Sequence, residues 1–485
     1  MNKREFIKSA NPYMPLWEHV PDGEPRVFTH EGETRVYVYG SHDTCRDKYC
    51  GHDYVVWSAP VDDLTDWKYH GVSYERHYEG ELFAPDVVKK GDTYYLFAAE
   101  KWGSLICVAT SKTPWGPFEN PKKTELGFDP GILIDDDGKV YAYWGGAANP
   151  CHIAQLSDDM TTIIKETQVD NPIGHSECPW DPVDDGHINH KDGFFEASSP
   201  RKIMGKYIFI YSKRYDEPVP ELGVYEPNNG FLSYQIADTP FGPFRDGGDI
   251  SFNGGEILKD ENGNGIMTYQ WGNNHGSLAE INGKWYVFYH RQTGENEFSR
   301  QAMLEPVDVA LGKDGKLYIG DIIYKDGEPV SSKPVEMTSQ GPHTDGLDAY
   351  KWISAGYACH LYGGTTRMYV RPVYDKQDDT SAPVSGISSG STVGFRYLQF
   401  GSTSPKSVII KLNEHKELKI NVRLDSYQGD IVESIECDGV SDSDEIKINL
   451  ALDITGKHAV YFEFISDEPG IIAEFDRFTF GCQAL

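Results

Sequence analysis

Five stretches of this chain repeat one pattern, a turn glycine followed by a Tyr/Val-rich alternating run. They read "EGETRVYVYGSHD", "KGDTYYLFAAE", "DDGKVYAYWGG", "MGKYIFIYSK" and "NGKWYVFYHR". Their glycines are Gly32, Gly91, Gly138, Gly205 and Gly283, spaced 59, 47, 67 and 78 residues apart. Glycine supplies the turn conformation, and strict alternation fits a half-buried antiparallel strand. A second signal recurs beside it. "SKTPWGPFE" and "ADTPFGPFR" are near copies, each after a strand-like run. "SAPVDDLTDWKYHG" and "LSDDMTTI" take the equivalent place after the first and third hairpins. Five units of blade length, each with room for about four short strands, predict an all-β chain that opens with a five-bladed β-propeller.

The charge balance narrows what such a propeller can bind. Of 485 residues, 75 are Asp or Glu and 45 are Lys or Arg, giving a formal charge of −30. That field repels phosphate backbones and anionic lipid, which argues against nucleic acid and membrane partners and favours neutral ligands. Aromatics make up 13% of the chain, more than strands need, and flat rings suit sugar faces. The start, "MNKREFIKSANPYMP", has no apolar stretch of signal-peptide length, so the expected location is cytoplasmic; a secreted chain trimmed of its leader would read the same way. The eight cysteines are scattered with no CxxC pair, which predicts reduced thiols rather than a zinc framework.

In a propeller the first strand of each blade lines the central channel, so residues at one phase of that strand converge on the axis. Counting back from each glycine, Glu24 lies eight residues before Gly32 and Asp129 nine before Gly138. Glu196 lies nine before Gly205, and His275 eight before Gly283. The second repeat places Leu82 and Phe83 there. Carboxylates gathered from several blades repel one another and shift each other's pKa, which is how acid/base sites are made. In "VPDGEPRVF" this phase separates the two acids: Glu24 is in register and Asp22, ten before its glycine, is not. Asp86, five before its glycine, is out of phase and reads as structural.

Other acidic and histidine-bearing segments carry less. "DDDGK" and "DENGNG" begin like calcium loops but lie between strands, so they are expected to be hairpin turns. Glu177 in "SECPW" and His187 and His190 in "DDGHINH" fall in a Pro- and Asp-rich insertion and are expected to be loop.

With these motifs in view, residues 10 to 325 resemble glycoside hydrolase family 43. "NPYMPLWEHVPDGEP", "FAPDVVKKGDTYYLF", "FDPGILIDDDGKVYAYWG", "FEASSPRKIMGKYIFIYS" and "HGSLAEINGKWYVFYHR" follow its blade motifs in order. The resemblance implies β-xylosidase, α-L-arabinofuranosidase or arabinanase activity with inversion of configuration. It assigns the general base to a carboxylate before proline in blade 1, here Glu24. The family usually has Asp-Pro at that point, so Asp22 is the competing candidate. It makes Asp129 the pKa modulator, raising the acid by like-charge repulsion, and Glu196 the general acid. Arg300, in "EFSRQAMLEP", matches a substrate-binding arginine, and Phe83 stands where a pocket-wall tryptophan is common. His275 matches a histidine that in relatives holds a calcium ion through water near the axis. No organic cofactor is implied. The expected partner is an oligosaccharide and the expected action exo-cleavage of xylose or arabinofuranose; an endo-arabinanase and a non-catalytic sugar-binding propeller are the alternatives.

The Pro/Ser/Gly-rich segment "DGEPVSSKPVEMTSQGPHTDG" breaks the repeat, predicting a propeller over 1–328 and a second domain over 340–485. Runs such as "KSVIIKLNEH" and "EIKINLALDITGKHAVYFEF" predict an antiparallel β-sandwich there. Its last segments resemble family 6 carbohydrate-binding modules.

Overall fold

Three of the repeat glycines sit in two-residue hairpin loops whose central residues both have positive φ: Glu31–Gly32, Met204–Gly205 and Asn282–Gly283. That is the turn whose twist matches the flanking strands, and it fixes the register of each hairpin. The structure is a computed structural model and describes residues 10–146, 150–176, 193–372, 382–439, 445–450 and 453–483.

The hairpins grow into five antiparallel sheets, each a simple meander. Blade 1 runs Glu24–His30, Glu33–Tyr39, Asp53–Pro60 and Lys68–Glu75. Blade 2 runs from Phe83–Lys90 to Glu119–Lys123, blade 3 from Gly131–Ile134 to Val169–Asp170, and blade 4 from Phe194–Ile203 to Arg245–Phe252. Blade 5 begins with Ser277–Ile281 and adds a fifth strand, Glu328–Lys333. The first strand of blade 5 packs against that of blade 1, which closes the ring. The two near-copy turns fold alike. Thr113 and Thr239 each donate to a glycine carbonyl at 2.5 Å, and each turn accepts a tyrosine hydroxyl from the preceding blade, Tyr39 on Pro114 and Tyr143 on Pro240. "DDDGK" and "DENGNG" are hairpin turns as expected, with Gly138 N–H on Asp135 O and Gly263 N–H on Asp260 O. Glu177, His187 and His190 lie outside the described residues.

Along the axis the inner strands are tied by charge. The Arg26 guanidinium of blade 1 pairs with Asp86 of blade 2 at 2.6 Å and donates to the Ile132 carbonyl of blade 3 at 2.9 Å. Arg201 of blade 4 pairs with Glu24 of blade 1 and donates to Leu278 O of blade 5 at 2.8 Å. Five blades are thus joined through four charged side chains in a site closed to water, where paired charges hold geometry strongly. Asp86 is structural, as its phase implied.

Two sheets follow the propeller and enclose one apolar core that includes Phe395, Phe462, Phe475 and Phe478. One sheet is built on Ser391–Gln399, Lys457–Ile465 and Leu418–Leu424, the other on Val384–Ser388, Ile471–Gly481 and Ser407–His415. The pairing is antiparallel except that Leu347–Asp348 lies parallel to Ser391–Gln399. The sandwich docks on blade 5: buried Arg291 donates to the carbonyls of Gly356 and Ala358, and Val370 N–H donates to Thr293 O at 2.8 Å. No disulfide forms among the described residues.

Candidate active site

The loops that lead into the inner strands surround a pocket of about 710 Å³. Asp22, Asp129, Glu196 and His275 line it, with Phe83 and Phe128 forming an edge-to-face aromatic wall at 6.0 Å between centroids. The volume is within the usual range for small-ligand sites.

Backbone strain aims the acids. Asp22 and Asp129 hold left-handed φ values of 59° and 46°, and Ala197, next to Glu196, holds 70°. Non-glycine residues reach that region only where their surroundings enforce it, and such positions concentrate at functional sites. Asp22 precedes the first strand of blade 1, and Asp129 that of blade 3. Glu196 lies inside the first strand of blade 4, but the ladder slips by one residue between Glu196 and Ser199. That bulge re-aims the side chain.

Of the two blade 1 acids, Asp22, the competing candidate, lines the pocket and Glu24 does not. Glu24 belongs to the strand proper and is not among the residues that line the pocket. Its carboxylate is held by Arg201, by Arg26 at 3.1 Å and by the Ser199 hydroxyl at 2.9 Å. Asp22 is the blade 1 acid that reaches the pocket. Its Oδ2 accepts from Ser41 at 2.6 Å, its Oδ1 pairs with Arg300 at 3.0 Å, and its N–H donates to His290 Nδ1 at 3.2 Å.

The three pocket acids differ in proton affinity. Burial would raise Asp22, but Arg300 first, then His275 and His290, and the Ser41 hydrogen bond hold the carboxyl below its usual range. His290 is pushed down to about 4 by burial, and burial lowers His275 as well, so at neutral pH Arg300 is the cation that keeps Asp22 ionised. Glu196 is pushed up to about 7, by burial first and then by the Asp22 charge. Asp129 is raised well above its ordinary value by burial, then by Glu196 and Asp22. Asp129 and Glu196 are thus both raised, by burial first and then by neighbouring negative charge. Asp129 Oδ2 accepts the Ala197 N–H at 3.2 Å and so fixes the backbone beside Glu196.

Arg300 does line the pocket, but most of its donors are taken. Nε and Nη2 bind Asp43 at 3.0 and 2.9 Å, and Nη1 binds Asp22. Its geometry is that of a residue that orients Asp22. Asp43, His290, Tyr49 and Trp271 went unread in the sequence. Asp43 ends the first repeat, in "GSHD", and a carboxylate at a strand end facing the axis was the signal available. His275 Nδ1 stands 3.8 Å from Asp22 and 3.7 Å from Asp129. Among the described residues, the one grouping of three side chains with metal-ligand spacing is Cys45, His52 and Glu81, which do not include these. A calcium ion takes six to eight oxygens. One imidazole beside an aspartate already paired with Arg300 does not make a protein cage for it, so the residues present fit calcium only through water.

A propeller pocket lined by one depressed and one elevated carboxyl is equipped for the acid/base cleavage that hydrolases of glycosidic bonds perform. The chain belongs to glycosyl hydrolases family 43, whose family model matches residues 22–316. It is 31% identical over 507 residues to a xylosidase/arabinosidase of Thermoclostridium stercorarium, covering 96% of this chain and 97% of that one. It is 24% identical to an arabinoxylan arabinofuranohydrolase of Paenibacillus polymyxa, covering 98% of this chain and 75% of the relative. A solved structure of the Bacillus subtilis arabinoxylan arabinofuranohydrolase with cellotetraose is 21% identical, covers 98% of this chain and 99% of that one, and has a TM-score of 0.47.

Proposed function

We propose that the chain is an inverting exo-glycosidase that releases arabinofuranose or xylose from hemicellulose-derived oligosaccharides. The observation that carries this is the split between Asp22, held low, and Glu196, held at about 7, in one pocket. The names of the relatives support the sugar class. Phe83 and Phe128 offer an apolar wall to the bound ring, and a pocket of this size takes a terminal sugar.

Glu196 enters the reaction protonated and gives its proton to the glycosidic oxygen as the carbon–oxygen bond breaks. Asp22 takes a proton from a water that forms the new bond on the opposite face of the sugar, so the anomeric configuration inverts. Loss of the substrate then lets the proton on Asp22 and the empty site on Glu196 re-equilibrate with solvent. Asp129, through Ala197, keeps the acid in place. Arg300 keeps the base ionised. No step is assigned to calcium; a bound ion would sit beside His275 through water.

Incubating the full chain with pNP-α-L-arabinofuranoside, pNP-β-xyloside and arabinoxylo-oligosaccharides tests the reading, with product anomers followed by proton NMR. Release of monosaccharide of inverted configuration is expected. Retained configuration would overturn the role of Asp22, and no release from any substrate would overturn the activity.

A further inference from the structure

The pocket wall contains one cation from the C-terminal sandwich. Arg367 lines the pocket and lies two residues before the strand Tyr369–Val370. That strand docks on blade 5: Val370 N–H donates to Thr293 O at 2.8 Å, and Val370 lies beside Gly294 in a parallel bridge. The same blade 5 loop carries Gln292, Asn296 and Glu297, all of which face the pocket.

The base of Arg367 is fixed. Met368 and Val370 are buried in the sandwich core. Thr365 and Thr366 N–H groups donate to the Ser388 hydroxyl at 2.7 and 3.2 Å, and the Thr366 hydroxyl donates to Gly386 O at 2.6 Å. Gly386 approaches so closely that a methyl there would stand 2.1 Å from Arg367 O. The guanidinium itself is exposed.

Its charge is unanswered. The other two pocket guanidiniums are paired, Arg300 with Asp22 and Asp43, and Arg214 with Asp216 at 2.9 Å. Among the described residues no carboxylate pairs with Arg367, in a chain where acids exceed bases 75 to 45. An exposed, unpaired guanidinium on the pocket wall, held in place by the sandwich, fits a ligand that brings its own carboxylate. The planar fork of arginine binds that group through two hydrogen bonds.

We propose that Arg367 forms a carboxylate-reading subsite, so that the preferred substrates are oligosaccharides bearing a hexuronate branch next to the sugar released. The inference rests on the glycosidase reading above. The sandwich then acts in substrate selection as well as in packing.

The test compares kcat/KM for a neutral arabinoxylo-oligosaccharide with that for the same oligosaccharide carrying one glucuronosyl branch, using the full chain. Wild type is expected to prefer the branched substrate. The branched-to-neutral ratio should fall about tenfold in Arg367→Gln, fall further in Arg367→Glu, and recover in part in Arg367→Lys. The wild-type preference should also shrink in high salt, since the contact is exposed. A ratio that is the same in all four proteins, or a wild type that rejects the branched substrate, overturns the subsite. Turnover of neither substrate by wild type overturns the glycosidase reading itself.

Discussion

Asp22 and Glu24 are 5% and 4% exposed, yet only Asp22 has an oxygen that faces the pocket. The difference arises in two residues of backbone. Asp22 is in the left-handed region, outside the strand, while Glu24 is the first residue of the ladder and pairs with Tyr39. Glu196 makes a second residue-scale contrast, because its burial is costly once it ionises. Between its ordinary value of 4.5 and about 7, the folded protein keeps a proton that the unfolded chain has released. Stability therefore falls as pH rises through that window. Glu196→Gln cannot ionise, so calorimetry at pH 8 should find it more stable than wild type by about 1–3 kcal/mol. At pH 4 the two should be close. Greater stability of wild type at pH 8 would contradict the burial of an acidic Glu196. The sequence grammar brought Glu196 and Asp129 to the right pocket. It put Glu24 rather than the pocket-lining Asp22 in phase, because counting from a turn glycine assumes an unbroken ladder and carries no information on φ before the strand begins.

At the scale of elements, the site depends on how closely neighbouring inner strands approach. Gly131, just after Asp129 and Pro130, has no space for a side chain: a methyl would lie 2.1 Å from Ser198 O in blade 4. That contact presses the start of blade 3 onto the bulge that aims Glu196. Gly131→Ala should cost about 1–3 kcal/mol, as overpacking does. It should also lower kcat, by displacing Asp129 from the Ala197 N–H. Thermal unfolding and kcat measured together check this, and an unchanged kcat would show that the strand spacing does not set the acid. The blades themselves were legible, since turn glycines and alternation are local signals. The bulge between Glu196 and Ser199 was not, because "EASSP" reads equally well as continuous strand.

Across the whole molecule, the charged groups of the inner strands divide into two sets, one tying strands together and one lining the pocket. Glu24, Arg26, Asp86 and Arg201 tie the inner strands, and Asp22, Asp129 and Glu196 face the pocket. The sandwich supplies the carbonyls that accept from Arg291 and brings Arg367 into the pocket lining, which no repeat-based reading of the propeller could reveal. That division has opposite consequences for two neighbouring acids. Glu24→Gln leaves Arg201 buried with a neutral partner and should cost about 3 kcal/mol of stability. Asp22→Asn removes the proposed base while leaving the Glu24 and Arg26 ion pairs intact. The most direct measurement is kcat/KM on an unactivated arabinoxylo-oligosaccharide for both variants, normalised to folded protein by calorimetry. The account predicts a loss of about a thousandfold or more for Asp22→Asn and less than about tenfold for Glu24→Gln. The reverse order would contradict it and return the base to Glu24.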